Sequence, residues 1–243
     1  MPNDNGAREP YMNSKWIDIK TAEGGTFGGY LSLPPTGRSP GIVLIQEIFG
    51  VNAHIRAVAD QYAMDGFTVL APDIFWRMQP RLDIGYTQAD MDTGIGFLQA
   101  MDFGKAVTDI GAAAATLRAR PDCTGKIASL GFCMGGLLSY LAAASAGVDA
   151  AVCYYGGGIP NQLAVAAKIR VPALFHFAAN DKHIPLEGVD KVKAEFAKHP
   201  ASPVHVYAGV DHGFNCWERA AYNQPAAALA RGRSLSFLAT TIA

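Results

Sequence analysis

Three side chains in this sequence have the types needed for nucleophilic catalysis. Cys133 lies in the pattern Gly-x-Cys-x-Gly at residues 131–135, and Asp181 and His212 follow later in the chain. A thiol is only slightly ionised near neutral pH, so it needs a base that can take and return its proton. His212 could be that base, and Asp181 could hold its imidazole in the required tautomer. The chemistry that this set predicts is transfer of an acyl group through the cysteine sulfur.

The glycines on either side of Cys133 are typical of a sharp turn from strand to helix. An apolar, strand-like run precedes the cysteine, and residues 137–146 are small and helical in type. Such a turn strains its central residue, so the neighbours must lack a Cβ atom. This arrangement is a nucleophile elbow with cysteine in the usual place of serine, and the helix N-terminus would favour the thiolate. The alternative is a packing turn around a buried, inert cysteine.

Strand-like and helical segments alternate along the chain. Residues 16–20 and 26–33 predict an opening antiparallel hairpin. Further strands are expected at 41–46, 67–71, 150–154, 172–177 and 204–207, and helices at 52–65, 87–118, 186–198 and 225–239. This alternation predicts an α/β protein with a mostly parallel, doubly wound sheet flanked by helices. The three candidate residues then follow strand ends, in the chain order of the α/β-hydrolase triad.

Composition indicates one domain and a small substrate. The 243 residues, half of them apolar, suit a single domain over 1–243, with 1–14 expected to be a flexible extension. Twenty basic and 21 acidic residues leave a net charge of -1 without a basic run, which argues against nucleic acid and anionic membranes as partners. No signal-peptide h-region or long apolar stretch is present, so we expect a cytoplasmic protein. Four scattered cysteines do not form a disulfide scaffold.

The sequence does not predict a metal or a cofactor. No pair or cluster of histidines and cysteines has metal-ligand spacing. The glycines around Cys133 match neither the dinucleotide-binding nor the phosphate-binding pattern. Among the other histidines, His176 lies within an apolar strand and is expected to be a core residue, whereas His183 could line the site or face water.

Several further motifs lie near the predicted strand ends. They are Gln-Glu-Ile-Phe-Gly at 46–50, Ala-Pro-Asp at 71–73, Gly-Phe-Cys-Met-Gly-Gly at 131–136, Tyr-Tyr-Gly at 154–156, Pro-Ala-Leu-Phe-His at 172–176, and His-Gly-Phe at 212–214. With these motifs the chain resembles the dienelactone hydrolase (carboxymethylenebutenolidase) family. The resemblance extends from about residue 41 to the end of the chain. The resemblance implies the α/β-hydrolase fold, a cofactor-free hydrolase and a monomer.

The resemblance also implies a role for Glu47. In the family the resting cysteine is largely protonated, and substrate binding swings the carboxylate of the matching glutamate so that it removes the proton. A carboxylate beside a thiol disfavours the thiolate, so a substrate-gated role is physically sensible. The alternative is an acid at a strand end, salt-bridged to Arg56 or Arg77.

Contacts with the substrate follow from the same resemblance. The backbone N–H groups of Ile48 and Met134 are expected to form the oxyanion hole. Arg77 matches an arginine that binds a substrate carboxylate, and the alternative is an exposed loop cation. The remaining candidates for the pocket wall are aromatic residues: Phe49, Trp76, Tyr86, Phe214 and Trp217.

Two positions differ from the family pattern. Dienelactone-specific members have serine directly after the triad histidine and arginine three residues beyond that serine, whereas this chain has Gly213 and Cys216 there. Arg219 is a candidate replacement. Losing one of two arginine anchors for a carboxylate would change substrate preference tenfold or more.

The leading functional hypothesis is a hydrolase in which Cys133 attacks a lactone or ester carbonyl and forms an acyl-thioester that water cleaves. A second hypothesis is a hydrolase of a different ester or of a thioester, which would use the same triad. A non-catalytic protein that binds a small carboxylate is an alternative from another class. A thiol redox sensor built on Cys133 is a third, for which Cys153 or Cys216 would be the resolving cysteine.

Overall fold

The structure, a computed structural model, describes residues 13–35 and 37–243 and is built on one eight-stranded sheet. The spatial order of the strands is β1-β2-β4-β3-β5-β6-β7-β8. Strands β1 and β2 are antiparallel to their neighbours, and β4, β3 and β5 to β8 run parallel. The strands are β1 (Asn13–Lys20), β2 (Thr26–Leu33), β3 (Ser39–Ile45), β4 (Thr68–Pro72), β5 (Cys123–Phe132), β6 (Ala150–Tyr154), β7 (Ala173–Ala178) and β8 (Val204–Tyr207).

In the described ranges, five α-helices lie between the strands and a sixth follows β8. Most begin at a side-chain cap: Asn52, for example, accepts the N–H of Ile55, and Thr87 forms a capping box with Asp90. Two 3₁₀ helices follow β6, at Ile159–Asn161 and Leu163–Lys168. The helices are α1 (Ala53–Met64), α2 (Gln88–Ala100), α3 (Phe103–Arg118), α4 (Met134–Ser145), α5 (Leu186–Phe196) and α6 (Gln224–Thr241).

The sheet separates two apolar clusters. Alternate residues of β3 enter different clusters: Ile42 and Leu44 join one, and Val43 and Ile45 join the other. Helices α1 and α6 pack into the first cluster and α3 into the second. A strand buried on both faces must be apolar at successive positions, which explains the continuous apolar runs in the sequence. The predicted fold, a mostly parallel sheet with flanking helices and an antiparallel start, is confirmed.

Three boundaries differ from the prediction. Asn13 and Ser14 belong to β1, so the expected extension over 1–14 is wrong for these two residues, and 1–12 lie outside the described residues. The helical segment 87–118 is broken into α2 and α3 because Asp102 caps the second helix by accepting the N–H of Lys105. Helix α4 starts directly after Cys133 rather than at residue 137. In the described ranges, none of the helices is both long and apolar enough to cross a membrane.

Candidate active site

Cys133 lies at the sharp turn between β5 and α4. Its backbone has φ 56° and ψ −116°, a conformation that L-residues rarely adopt. A Cβ atom added to Gly131 would lie 1.9 Å from the carbonyl oxygen of Gly135, and one added to Gly135 would lie 2.4 Å from that of Ile45. The two glycines therefore allow the turn and its close packing on β3. The strained turn holds the thiol at the C-terminal edge of the sheet.

Asp181 and His212 are joined by a short hydrogen bond. His212 Nδ1 lies 2.7 Å from Asp181 Oδ2, and the other carboxylate oxygen, Oδ1, accepts the backbone N–H groups of His183 at 2.8 Å and Ile184 at 3.2 Å. Asp181 is thereby held in one orientation in the loop after β7. With Nδ1 bound to the carboxylate, Nε2 of His212 is the nitrogen left for Cys133.

The local electrostatics favour charge on both partners of this hydrogen bond. Burial by itself raises the pKa of Asp181, but the hydrogen bond and charge of His212 outweigh burial, and the pKa is lowered from its ordinary value. Burial likewise lowers the pKa of His212, but the charge of Cys133 and the hydrogen bond to Asp181 raise it to about 10. A protonated His212 beside Asp181 can stabilise negative charge on the sulfur of Cys133 during a reaction and can donate its proton to a leaving group.

Glu47 forms an ion pair with Arg219 rather than with either arginine that the sequence offered. Arg219 Nη1 donates to Glu47 Oε1 at 3.2 Å, and the two side chains are 16% and 2% exposed. Burial raises the pKa of Glu47, while the charges of Arg219 and His212 act in the opposite direction. Arg56 instead pairs with Asp83. The carboxylate of Glu47 thus lies within the electrostatic influence of the candidate triad.

A cavity of about 480 Å³ opens above Cys133. This size suits a small organic molecule. Ile48 and Met134 both line it, and Cys133 makes no side-chain capping bond to α4, so its thiol does not compete with a ligand for the first N–H groups of that helix. The lining residues are Ile48, Phe49, Met91, Ile95, Leu98, Phe103, Cys133, Met134, Leu137, Gly157, Gly158, His183, His212 and Arg219.

Two of the predicted substrate contacts, Arg77 and Trp76, lie elsewhere. Arg77 Nη2 and Trp76 Nε1 both donate to the buried carboxylate of Asp109, each at 2.8 Å. Trp76 also stacks on Phe27, with ring centroids 5.3 Å apart. The fully buried Asp109 needs hydrogen-bond donors, and helix α3 presents it to both residues. The expectation that Arg77 reaches the substrate is not met in this geometry.

Three predicted aromatic residues lie outside the lining of the cavity. Tyr86 packs on Phe49 at a centroid distance of 4.5 Å and accepts a hydrogen bond from Asn52. Phe214 is fully buried, and Trp217 packs edge-on against His54 at 4.1 Å. Of the six predicted substrate-binding residues, Phe49 alone is among the described residues that line the cavity.

Much of the cavity wall was missed by the sequence analysis. Met91, Ile95 and Leu98 of α2 lie four and three residues apart, which places them on one helical face. This spacing is visible in the sequence, so the apolar face of α2 was the available signal. Arg219, the candidate replacement for the missing arginine, does line the cavity, in a position that depends on the loop before α6.

The described residues contain no group of three or more His, Cys, Asp or Glu side chains placed to hold a metal ion. A larger and more open groove, of about 890 Å³, runs over the outside of α3 and α4. None of Cys133, Asp181 and His212 lines it. The smaller cavity is therefore the candidate active site.

Comparison with known proteins identifies the family of this chain. The model of the Dienelactone hydrolase family matches residues 27–242. The carboxymethylenebutenolidase of Pseudomonas putida is 34% identical over 229 residues, covering 94% of this chain and 97% of that protein. A putative carboxymethylenebutenolidase of Azospirillum brasilense is 36% identical over 231 residues, covering 91% and 96%.

A solved structure shows the same fold. The crystal structure of a putative dienelactone hydrolase from Klebsiella pneumoniae subsp. pneumoniae superposes with a TM-score of 0.83 at 24% identity, covering 94% of this chain and 98% of that one. The resemblance drawn from the motifs is thus confirmed. The chain belongs to the dienelactone hydrolase family and is a hydrolase of ester or lactone bonds.

Proposed function

We propose that the protein opens a lactone or cleaves a small ester through an acyl-thioester on Cys133. The observation that carries this proposal is the placement of the elbow cysteine and His212 in one cavity, with His212 Nδ1 held 2.7 Å from Asp181. The alternative of a non-catalytic binding protein has no specific observation in its favour, whereas the placement of Cys133 and His212 in one cavity supports catalysis.

The first half of the proposed reaction acylates the enzyme. The thiolate of Cys133 attacks the carbonyl carbon, and the S–C bond forms while the carbonyl oxygen becomes an oxyanion. The N–H groups of Ile48 and Met134 donate to that oxygen. The C–O bond of the ester then breaks, and the leaving oxygen takes the Nε2 proton of His212. In a lactone the leaving hydroxyl remains attached to the acyl group.

The second half releases the acid. His212, now neutral, removes a proton from a water molecule, and the resulting hydroxide attacks the thioester carbonyl. The S–C bond breaks and restores the thiolate beside the imidazolium. The balance is one water consumed for each ester bond cleaved, with no change of oxidation state. Asp181 orients the imidazole and stabilises its charged form in both halves.

Glu47 completes the proposal as the group that controls the state of the thiol. Burial raises its pKa, which makes its carboxylate a stronger base than an exposed glutamate. When the thiolate of Cys133 has taken a proton from solvent between turnovers, this stronger base is suited to removing that proton as a substrate enters and to returning it to solvent. Arg219 opposes the negative charge of Glu47 while the site is empty of substrate.

Trapping the acyl-enzyme tests the proposal directly. Rapid acid quench of the protein with p-nitrophenyl butyrate should leave one butyryl group on the peptide that contains Cys133, as detected by mass spectrometry. The adduct should be absent in Cys133→Ala and present in Cys123→Ala, which removes a buried thiol outside the cavity. Turnover with the acyl group on another residue, or no Cys133-dependent turnover of any ester or lactone, would contradict the proposal.

Gly94 of α2 is expected to set the position of one oxyanion donor. A Cβ atom on Gly94 would lie 2.7 Å from the carbonyl oxygen of Ile48, so Gly94→Ala must displace that backbone. Misplacing a catalytic group by about 1 Å costs up to about 100-fold in rate. We expect Gly94→Ala to lower kcat at least tenfold in a steady-state ester assay.

Gly96 on the same helix is the matched control. A Cβ atom there would meet nothing within 4 Å. Gly96→Ala should keep the wild-type kcat and stabilise the helix by up to about 1 kcal/mol. Equal kcat values for the two variants would show that packing of α2 does not position Ile48.

A further inference from the structure

A groove beside the active-site cavity continues the apolar wall of that cavity. This outer groove, of about 890 Å³, is formed by α3, α4 and the second 3₁₀ helix after β6. The proposed reaction at Cys133 uses none of its side chains, so it is a second apolar surface that the bond-breaking steps do not need. Its apolar lining includes Val107, Ala112 and Ala115 of α3, Leu141 and Ala144 of α4, and Val165.

The cavity and the outer groove meet at one side chain. Phe103, the first residue of α3, lines both spaces and packs against both apolar clusters of the core. Helix α4 passes from one space to the other, because Leu137 lines the cavity and Leu141, one turn later, lines the groove. The segment after β6 does the same, with Gly158 in the cavity and Gln162 in the groove. Three elements therefore connect the two spaces, with Phe103 at the junction.

The order of the strands places the outer groove on the acyl side of the proposed reaction. Cys133 follows β5, His212 follows β8 at the edge of the sheet, and α3 packs on β3, β4 and β5. His212 has to reach the leaving oxygen in order to protonate it, so the alcohol part of an ester lies toward β8. The acyl group then points to the other side of Cys133, where Phe103 begins α3.

The dimensions and lining of the outer groove suit an unbranched hydrocarbon chain. Between Phe103 and Ala115, helix α3 rises by about 18 Å, which is comparable to an extended long-chain fatty acyl group. The side chains of Ala112 and Ala144 are small, so α3 and α4 leave room for a chain along the groove. These side chains are partly exposed, and a bound chain would remove their apolar surface from water.

We propose that the outer groove binds the distal part of a long, unbranched, apolar acyl chain whose ester carbonyl lies at Cys133. This inference rests on the proposed function, because it extends the substrate-binding surface of the same site. The cavity takes the carbonyl group and the first methylene groups, the chain passes Phe103, and its end covers Val107 and Leu141. Each methylene group that is half-buried in the groove should raise kcat/KM by about twofold.

Two p-nitrophenyl esters that differ only in acyl length test the proposal. p-Nitrophenyl butyrate is short enough to stay in the cavity, and p-nitrophenyl dodecanoate, used below its micelle concentration, is long enough to enter the groove. With Cys133→Ala as the background, we expect kcat/KM of the wild-type protein to be at least about tenfold higher for the dodecanoate. A dodecanoate-to-butyrate ratio of one or less would overturn the inference and leave the proposed hydrolase intact. No Cys133-dependent hydrolysis of either ester would overturn both.

A bulky side chain in the outer groove should remove this preference. Thr108 is exposed, lines the groove and not the cavity, and lies about 7 Å beyond Phe103 along α3. Thr108→Trp should lower the dodecanoate-to-butyrate ratio of kcat/KM at least about fivefold, because the chain loses its contacts beyond that point. Ser145→Trp fills the same groove from the exposed end of α4 and provides a second blocking variant if Thr108→Trp does not fold.

Thr240 of α6 provides the matched control. Thr108 Oγ1 and Thr240 Oγ1 each donate to the carbonyl oxygen four residues earlier, at 3.1 Å, and both residues are exposed. Thr240 lines neither the cavity nor the groove, so Thr240→Trp should leave the ratio unchanged. An unchanged ratio in the folded blocking variants would overturn the inference. If those variants instead changed the oligomeric state on gel filtration at an unchanged ratio, the groove would be an interface between copies of the chain.

Discussion

Asp181→Asn should lower kcat by about 10⁴-fold and leave the protein folded. The asparagine carbonyl oxygen can still accept the N–H groups of His183 and Ile184, which Asp181 Oδ1 accepts at 2.8 and 3.2 Å. Its amide NH₂ group would then face His212 Nδ1 and donate to it. His212 would be fixed with its proton on Nε2, the wrong tautomer for taking a proton from water, and its charged form would lose its counter-ion.

The control is an acid on the adjacent loop. Asp211 precedes His212 in the chain but is exposed. Asp211→Asn changes the net charge by the same amount and should keep kcat within about twofold of wild type. Steady-state kinetics with thermal unfolding of all three proteins makes the comparison. A loss below tenfold for Asp181→Asn would refute its role in orienting the imidazole.

Arg219→Met should destabilise the protein by about 3–5 kcal/mol at neutral pH, measured by denaturant unfolding. The change removes the cation from Glu47, which lies 3.2 Å from Arg219 and is 2% exposed. An uncompensated buried charge costs this much. The double variant Arg219→Met/Glu47→Gln should recover most of the loss, because it removes the charge that was left behind.

A surface ion pair provides the matched control for this loss. Arg56 and Asp83 lie 2.7 Å apart but are 28% and 48% exposed. Arg56→Met should cost less than about 1 kcal/mol, since an exposed pair is weakened by solvent. Equal losses for Arg219→Met and Arg56→Met, or no recovery in the double variant, would show that Glu47 is not a buried charge.

The loss from Arg219→Met should also depend on pH. Without Arg219, the folded-state pKa of Glu47 rises further above its unfolded value, so the folded variant binds an additional proton. Stability then falls as pH rises, because the folded state holds more protons than the unfolded state. The difference from wild type should be smallest near pH 4.5, the ordinary pKa of glutamate, and should grow toward pH 7.

The chemical part of the candidate site could be predicted because its constraints are local. Gly131 and Gly135 are needed wherever a strand turns into a helix around Cys133, and that requirement is visible in five residues. Asp181 and His212 follow strand ends, and parallel strands place such ends at one edge of the sheet. The order of strands and helices could be predicted for the same reason, because apolar runs and helical spacing are also local features of the sequence.

The substrate-binding part could not be predicted in this way. Whether Arg77 faces the cavity or the buried Asp109 depends on how α3 packs beside the loop after β4, which residue spacing does not encode. The partner of Glu47 is Arg219, 172 residues away in the chain, and only the folded loop before α6 brings them together. The sequence by itself determined the fold, the elbow and the residue types for acyl transfer. The tertiary structure decided which cations are free and which side chains form the wall, because both depend on contacts between distant segments.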